Sequence, residues 1–173
     1  MTTLHAITVL GHDRPGIIAE TTGRLAGLGL NLEDSTMTLL RGHFAMTLVC
    51  AGDAAGAEIE AALAPLAADG SLTVTVRAVP EETTAAADGT PWVLTVHGGD
   101  RPGIVSSIVE EVARVGGNIT DLTTRLAGEL YVLVAEIDLP AGVDVAALEA
   151  AIKAVAGTLG VGATLRAAEA DEL

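Results

Sequence analysis

The chain has 173 residues, half of them apolar, 18% charged and only 2% aromatic, which suits one ordinary domain or two small ones with a core of Ala, Leu, Val and Ile. A formal net charge of −14, unrelieved by any Lys/Arg run, repels phosphate backbones and excludes direct nucleic-acid binding from the expected functions. Cys50 is the sole cysteine, so an intrachain disulfide and a multi-cysteine metal site are excluded as well.

From the N-terminus, Met1-Thr2-Thr3-Leu4-His5 lacks a basic region followed by an apolar run, so no secretory signal is expected. Apolar stretches are broken by Gly, Asp or Glu before they reach membrane-spanning length. A cytoplasmic, soluble protein is expected. Leu4 to Leu10 alternates and is rich in β-branched residues, a strand. From Pro15 to Leu28, Ile18, Leu25 and Leu28 recur at helical spacing, and Gly29 stands where a helix ends. Two strands follow around a tight turn at Arg41-Gly42, the second holding Cys50 as a buried structural thiol. A second helix is expected from about Ala57 to Ala68. The last strand sets Leu72, Val74 and Val76 against Thr73, Thr75 and Arg77.

The same order then returns. Gly11-His12-Asp13-Arg14-Pro15-Gly16-Ile17-Ile18 recurs as Gly98-Gly99-Asp100-Arg101-Pro102-Gly103-Ile104-Val105. The offset carries Gly29 onto Gly116, Asn31 onto Asn118, Asp34 onto Asp121 and Phe44 onto Tyr131. Beyond Cys50 the register moves by two residues, matching Glu60 to Glu149 and Arg77 to Arg166. In the second copy Val105, Ile108, Val109, Val112 and Val115 share a helix face, Gly128-Glu129 makes the tight turn, and Val145 to Ala156 forms the second helix. The polar, Pro-bracketed stretch 81–91 reads as a linker between domains at 1–80 and 92–168. Each copy is therefore βαββαβ, an α+β ferredoxin-like unit with an antiparallel sheet and helices on one face. Units this small are expected to pair, copy with copy or chain with chain, with free sheet edges as a route and a homo-oligomer, most simply a dimer, as the expected assembly.

The repeated loop lies where a strand gives way to a helix. Asp13 and Asp100 are candidate N-caps, Pro15 and Pro102 suit a first helical turn, and Gly16 and Gly103 permit close approach to the backbone. The amides of Gly16, Ile17, Gly103 and Ile104 would then offer a carboxylate site at a helix N-terminus. Asn31 and Asn118 open the second strand, read as beside the first in space. There they could take an amino group and a carboxylate, or close a turn with an Asx-type bond. The alternative for the whole loop is a well-made strand-to-helix turn with no ligand.

Asp-Arg-Pro-Gly-Ile at the first turn, followed by Gly-x-Asn-Leu or Gly-Gly-Asn-Ile opening the second strand, resembles the ACT domain. The resemblance covers nearly the whole chain, twice, and the tandem layout is similar to the group of repressors of the glycine cleavage system. It implies a non-enzymatic regulator that binds a small amino acid at interfaces between domains and modulates a partner protein. By the same resemblance Asp13, Arg14, Gly16, Ile17 and Asn31 in the first copy, with Asp100, Arg101, Gly103, Ile104 and Asn118 in the second, are the candidate ligand-binding residues. No cofactor and no membrane partner are implied. An interaction module without a ligand is the alternative.

Catalytic patterns are missing from the sequence. His5, His12, His43 and His97 do not have the spacing of a helical metal pair, and Gly99 replaces His12 in the second copy. Ser106-Ser107 has no nucleophile elbow. Gly27-Leu28-Gly29 lacks the third glycine of a dinucleotide fingerprint and follows a helix rather than a strand.

Overall fold

The computed structural model describes residues 2–82 and 89–169. The chain divides into two compact units, 1–83 and 84–173, each with its own core. Most of the stretch expected as a linker, residues 83–88, lies outside the described residues, and its expected far end at Pro91 falls inside a strand.

The first unit runs β1 (Thr3–His12), α1 (Ile17–Gly27), β2 (Asn31–Leu40), β3 (His43–Gly52), α2 (Gly56–Leu63), a 3₁₀ turn (Ala64–Ala67) and β4 (Leu72–Val79). The second runs β5 (Thr90–Gly99), α3 (Ile104–Arg114), β6 (Asn118–Ala127), β7 (Leu130–Leu139), α4 (Val145–Leu159) and β8 (Val161–Ala167). Both sheets are antiparallel, in the orders β2-β3-β1-β4 and β6-β7-β5-β8. This is the βαββαβ arrangement twice.

Period-two alternation makes each sheet two-faced. Ile7 and Val9 on β1 pair with Leu48 and Met46 on β3, and all four are buried beneath the helices with Ile59, Leu63 and Leu66. On the opposite face one row crosses all four strands as Thr36, Thr47, Thr8 and Thr75. In the second unit Leu94, Val96, Leu133, Ala135 and Ile137 meet Ile104, Ile108, Val112, Leu148 and Ile152 in the same way.

Local chain chemistry ends the helices as expected. Gly29 and Gly116 adopt φ of 73° and 75°. Beside them the Leu30 amide donates to the Leu25 carbonyl at 3.1 Å and the Gly117 amide to Val112 at 3.0 Å, the paired bonds of a Schellman motif. Arg41 and Gly42 both carry positive φ, the turn that matches the twist of a two-residue hairpin. Helix α1, however, turns a different stripe inward. Its buried residues are Ile17, Thr21 and Leu25, whereas Ile18 is 42% exposed. Thr21 can occupy the core because its hydroxyl donates to the Ile17 carbonyl at 2.8 Å. Cys50 is buried, and burial followed by the charge of Glu33 pushes its thiol pKa up. His5 is buried opposite it.

Candidate functional site

Both repeated loops are shaped by a glycine. Helices α1 and α3 begin after Gly16 and Gly103, which act as N-caps at φ of 91° in the left-handed region. This corrects the expectation that Asp13 and Asp100 cap the helices: they precede the caps by three residues, and no side chain hydrogen-bonds to either helix start. Pro15 and Pro102 likewise fall outside the helices. The glycines are required by conformation first, since a Cβ at Gly16 would meet nothing within 4 Å and one at Gly103 only Ser107 Oγ at 3.8 Å. A side chain there is strained whatever the space.

The remaining helices start differently. Asp144 caps α4, accepting from the Ala147 amide at 3.1 Å, and Glu58 in the first turn of α2 accepts from the Ala55 amide at 2.8 Å. Among the described residues, therefore, the two helices that follow the repeated loops lack a carboxylate on their leading amides. In α3 no acidic side chain stands in the first turn among the described residues, whereas α1 carries Glu20 there, paired with Arg14 and Arg24.

In the first unit this helix start forms one wall of a cleft of about 380 Å³. Asp13, Arg14, Gly16 and Ile17 line it from the loop, Ile18 and Ala19 from the first helical turn, and Met37, Leu39 and Phe44 from β2 and β3. Four of the five expected residues of this copy are thus together. The apolar wall of Met37, Leu39 and Phe44 was not anticipated. Alternation along β2, with Leu39 opposite Phe44, is the signal that could have found it.

Asn31 stands elsewhere. Strand β3 separates β2 from β1, so Asn31 does not lie beside the first strand as expected. It pairs with Ala51, in the row of Leu4, whereas the loop departs from the row of His12, His43 and Leu40. Those rows are eight strand positions apart, roughly 25 Å. Asn118, in the row of Pro91 and Asp138, is equally remote from the second loop, which leaves the row of Gly99 and Leu130. Within one unit the loop and the Asn are at opposite ends of the sheet.

The arginines of the two loops are held differently. Glu20 reaches Arg14 at 3.8 Å with one oxygen and Arg24 at 3.1 Å with the other. Asp69, whose carboxyl pKa is lowered first by its hydrogen bonds from Ser71, also feels the positive charge of Arg14. By the offsets of the repeat, Ser107 and Thr158 replace Glu20 and Asp69 in the second copy. Arg101 there has no ion pair among the described residues. It lies beside the turn from α4 to β8, where a Cβ on Gly160 would stand 3.7 Å from its Nη2.

No group of three or more His, Cys, Asp or Glu among the described residues could hold a metal ion. No described helix is long and apolar enough to cross a membrane.

Comparison with known proteins adds the family. The ACT domain model matches residues 4–77 and again 90–166. A UPF0237 protein of Streptococcus pneumoniae is 45% identical over 47 residues, 27% of this chain and 53% of that protein. The chain spans about half the length of such curated relatives. The glycine cleavage system transcriptional repressor of Escherichia coli is 27% identical over 157 residues, covering 86% of this chain and 82% of the repressor. A solved protein of unknown function from Galdieria sulphuraria superposes with a TM-score of 0.79 at 27% identity, over 98% of this chain and 100% of that one. Two matched halves, with the βαββαβ order in each, make this chain a member of the ACT domain family in tandem form.

Proposed function

We propose that the chain is a non-enzymatic regulator that binds a small amino acid at its repeated loops and transmits the binding to a protein partner. The observation that carries this reading is the pair of helix starts that no side chain caps, most open at α3, which has no acidic residue in its first turn, while a carboxylate accepts from a backbone amide at the start of both other α-helices. A ligand carboxylate is the group such an end accepts. The likeness to a transcriptional repressor and the charge of −14 fit control exerted through a protein rather than by contact with DNA. The partner side chains near each loop assign unequal roles. Arg14 is already answered by Glu20 and Asp69, whereas Arg101 has no ion pair among the described residues and can meet a carboxylate, so the second loop is the stronger binder.

Asn31 and Asn118 enter through assembly. Strand β2 is an outer edge of its sheet, and antiparallel pairing with β2 of a second copy sets the start of one β2 against the end of the other. The Asn31 of one copy then stands at the loop end of its partner, which a single unit cannot achieve. Homodimerisation and ligand binding are one event in this scheme.

The test is a thermal-shift screen of the purified chain against the twenty amino acids, followed by calorimetry on any hit. Saturation a hundredfold above the dissociation constant stabilises by about 2.7 kcal/mol. A selective shift that Arg101→Gln removes supports the reading. The absence of a shift with every amino acid leaves the ligand-free interaction module in its place, and specific DNA binding by the chain alone at physiological salt would overturn partner-mediated action.

A further inference from the structure

Helix α2 is cut short by its sequence. It ends at Leu63 after eight residues, and Pro65, which has no amide to donate and would clash with the preceding turn, converts the continuation into a 3₁₀ turn. Its counterpart α4 runs for fifteen residues without a proline. Strand β4 beneath is an outer strand of its sheet, and Val74 and Val76, which face the helices, stay half-buried. The result is a groove of about 490 Å³ whose floor is Val74, Thr75 and Val76 and whose wall is Glu60, Ala64 and Ala67.

The groove combines features that recognise one kind of chain. The outer edge of β4 presents unpaired backbone donors and acceptors over an eight-residue strand, the template for strand addition. The alanines leave room between helix and strand for alternate side chains of an added strand, and the valines give those side chains an apolar floor. Among the described residues the only charge on its lining is Glu60, on a chain of net charge −14, so an acidic segment is repelled and a basic one drawn in. Strand β2, the other free edge of this sheet, borders the loop cleft walled by the start of α1, and it carries Glu33 and Asp34 at a bulge.

We propose that the β4 groove is a docking site for an extended segment of a partner protein, apolar at alternate positions and ending in basic residues that meet Glu60. The segment adds as a fifth strand, with its apolar side chains between Val74, Val76 and the two alanines. The groove uses none of the loop residues, so its test stands apart from that of amino-acid binding.

The test titrates the full chain, labelled for amide NMR, with a capped peptide alternating threonine and valine and ending in two lysines, against the same peptide ending in two glutamates. The lysine peptide is expected to shift amides of β4 and of Ala64–Ala67, and to bind roughly tenfold more tightly than the glutamate peptide. Glu60→Lys should erase that preference, and Ala64→Trp, which fills the groove from an exposed position, should abolish binding with the remaining spectrum retained. Equal affinity for the two peptides, shifts centred on β2, a β4-paired dimer that excludes the peptide, or no binding at all overturns the proposal.

Discussion

The first and second repeated loops share a backbone and differ in electrostatics. Gly16 and Gly103 hold the same φ of 91° and open helices of equal length. Around that shared frame Arg14 lies 3.8 Å from Glu20, itself bound to Arg24, while Ser107 and Thr158 stand in the sequence where Glu20 and Asp69 stand in the first copy, and Arg101 has no ion pair among the described residues. Conformation is therefore the stricter constraint, since a left-handed position tolerates little but glycine. Charge is free to diverge, because an exposed ion pair contributes little to stability. A duplicated unit can lose or keep ligand affinity in one copy at almost no cost in folding.

The comparison can be broken at its strongest shared point first. Ile17 and Ile104 occupy equivalent buried positions under the two sheets, and changing either to Ala should cost about 2–5 kcal/mol in urea unfolding. Strongly unequal losses would show that the two cores are less alike than their sequences. Next comes the asymmetry itself. Arg101→Gln should reduce amino-acid affinity by about tenfold or more, the equivalent of a charge-assisted hydrogen bond, whereas Arg14→Gln should change it little. Glu20→Gln, which releases Arg14, should raise the affinity of the first loop toward that of the second, with stability altered by about 0–1 kcal/mol. Calorimetry of these variants would settle the order.

An effect on stability of comparable size, about 1–2 kcal/mol, is expected when Gly16 or Gly103 is changed to Ala, from strain alone. Loss of stability at these glycines thus does not separate a sensor from a structural turn, and the arginines make the sharper probe. The smallest effect concerns Asp69. Its folded pKa lies below the ordinary 3.8, chiefly through the Ser71 hydroxyl. The stabilisation is accordingly present above about pH 4 and is lost as pH falls through the folded value. Ser71→Ala should move the Asp69 titration upward toward 3.8 when followed by carboxyl NMR shifts. Thr158, its second-copy counterpart, has no such titration.

Much of this was legible in the sequence because its causes are local. Alternation in β4 and β8, the glycines closing α1 and α3, and the Arg41-Gly42 turn each depend on a few consecutive residues. The repeat multiplied those signals. The inward stripe of α1 was hidden because Thr21 sits in it as a polar residue satisfied by its own helix. The separation of Asn31 from its loop was hidden for a different reason. It follows from β3 lying between β2 and β1, a non-local ordering that spacing along the chain does not encode. The apolar wall of Met37, Leu39 and Phe44, by contrast, follows from alternation across the β2–β3 hairpin, a local signal that was within reach.

Strands β2 and β6, one outer strand of each sheet, contain an extra residue at the same place, between Leu32 and Asp34 in β2 and between Ile119 and Asp121 in β6. Such a bulge reverses the parity of everything before it. Leu32 and Ile119 are thereby turned to the helix side, opposite Cys50 and Ile137, and Asn31 and Asn118 to the other face. Substitutions at Glu33 or Thr120 leave this arrangement alone, but deleting either residue would exchange the two faces at once, driving an asparagine inward and an aliphatic side chain out. At this point of each unit, chain length is under tighter constraint than residue identity.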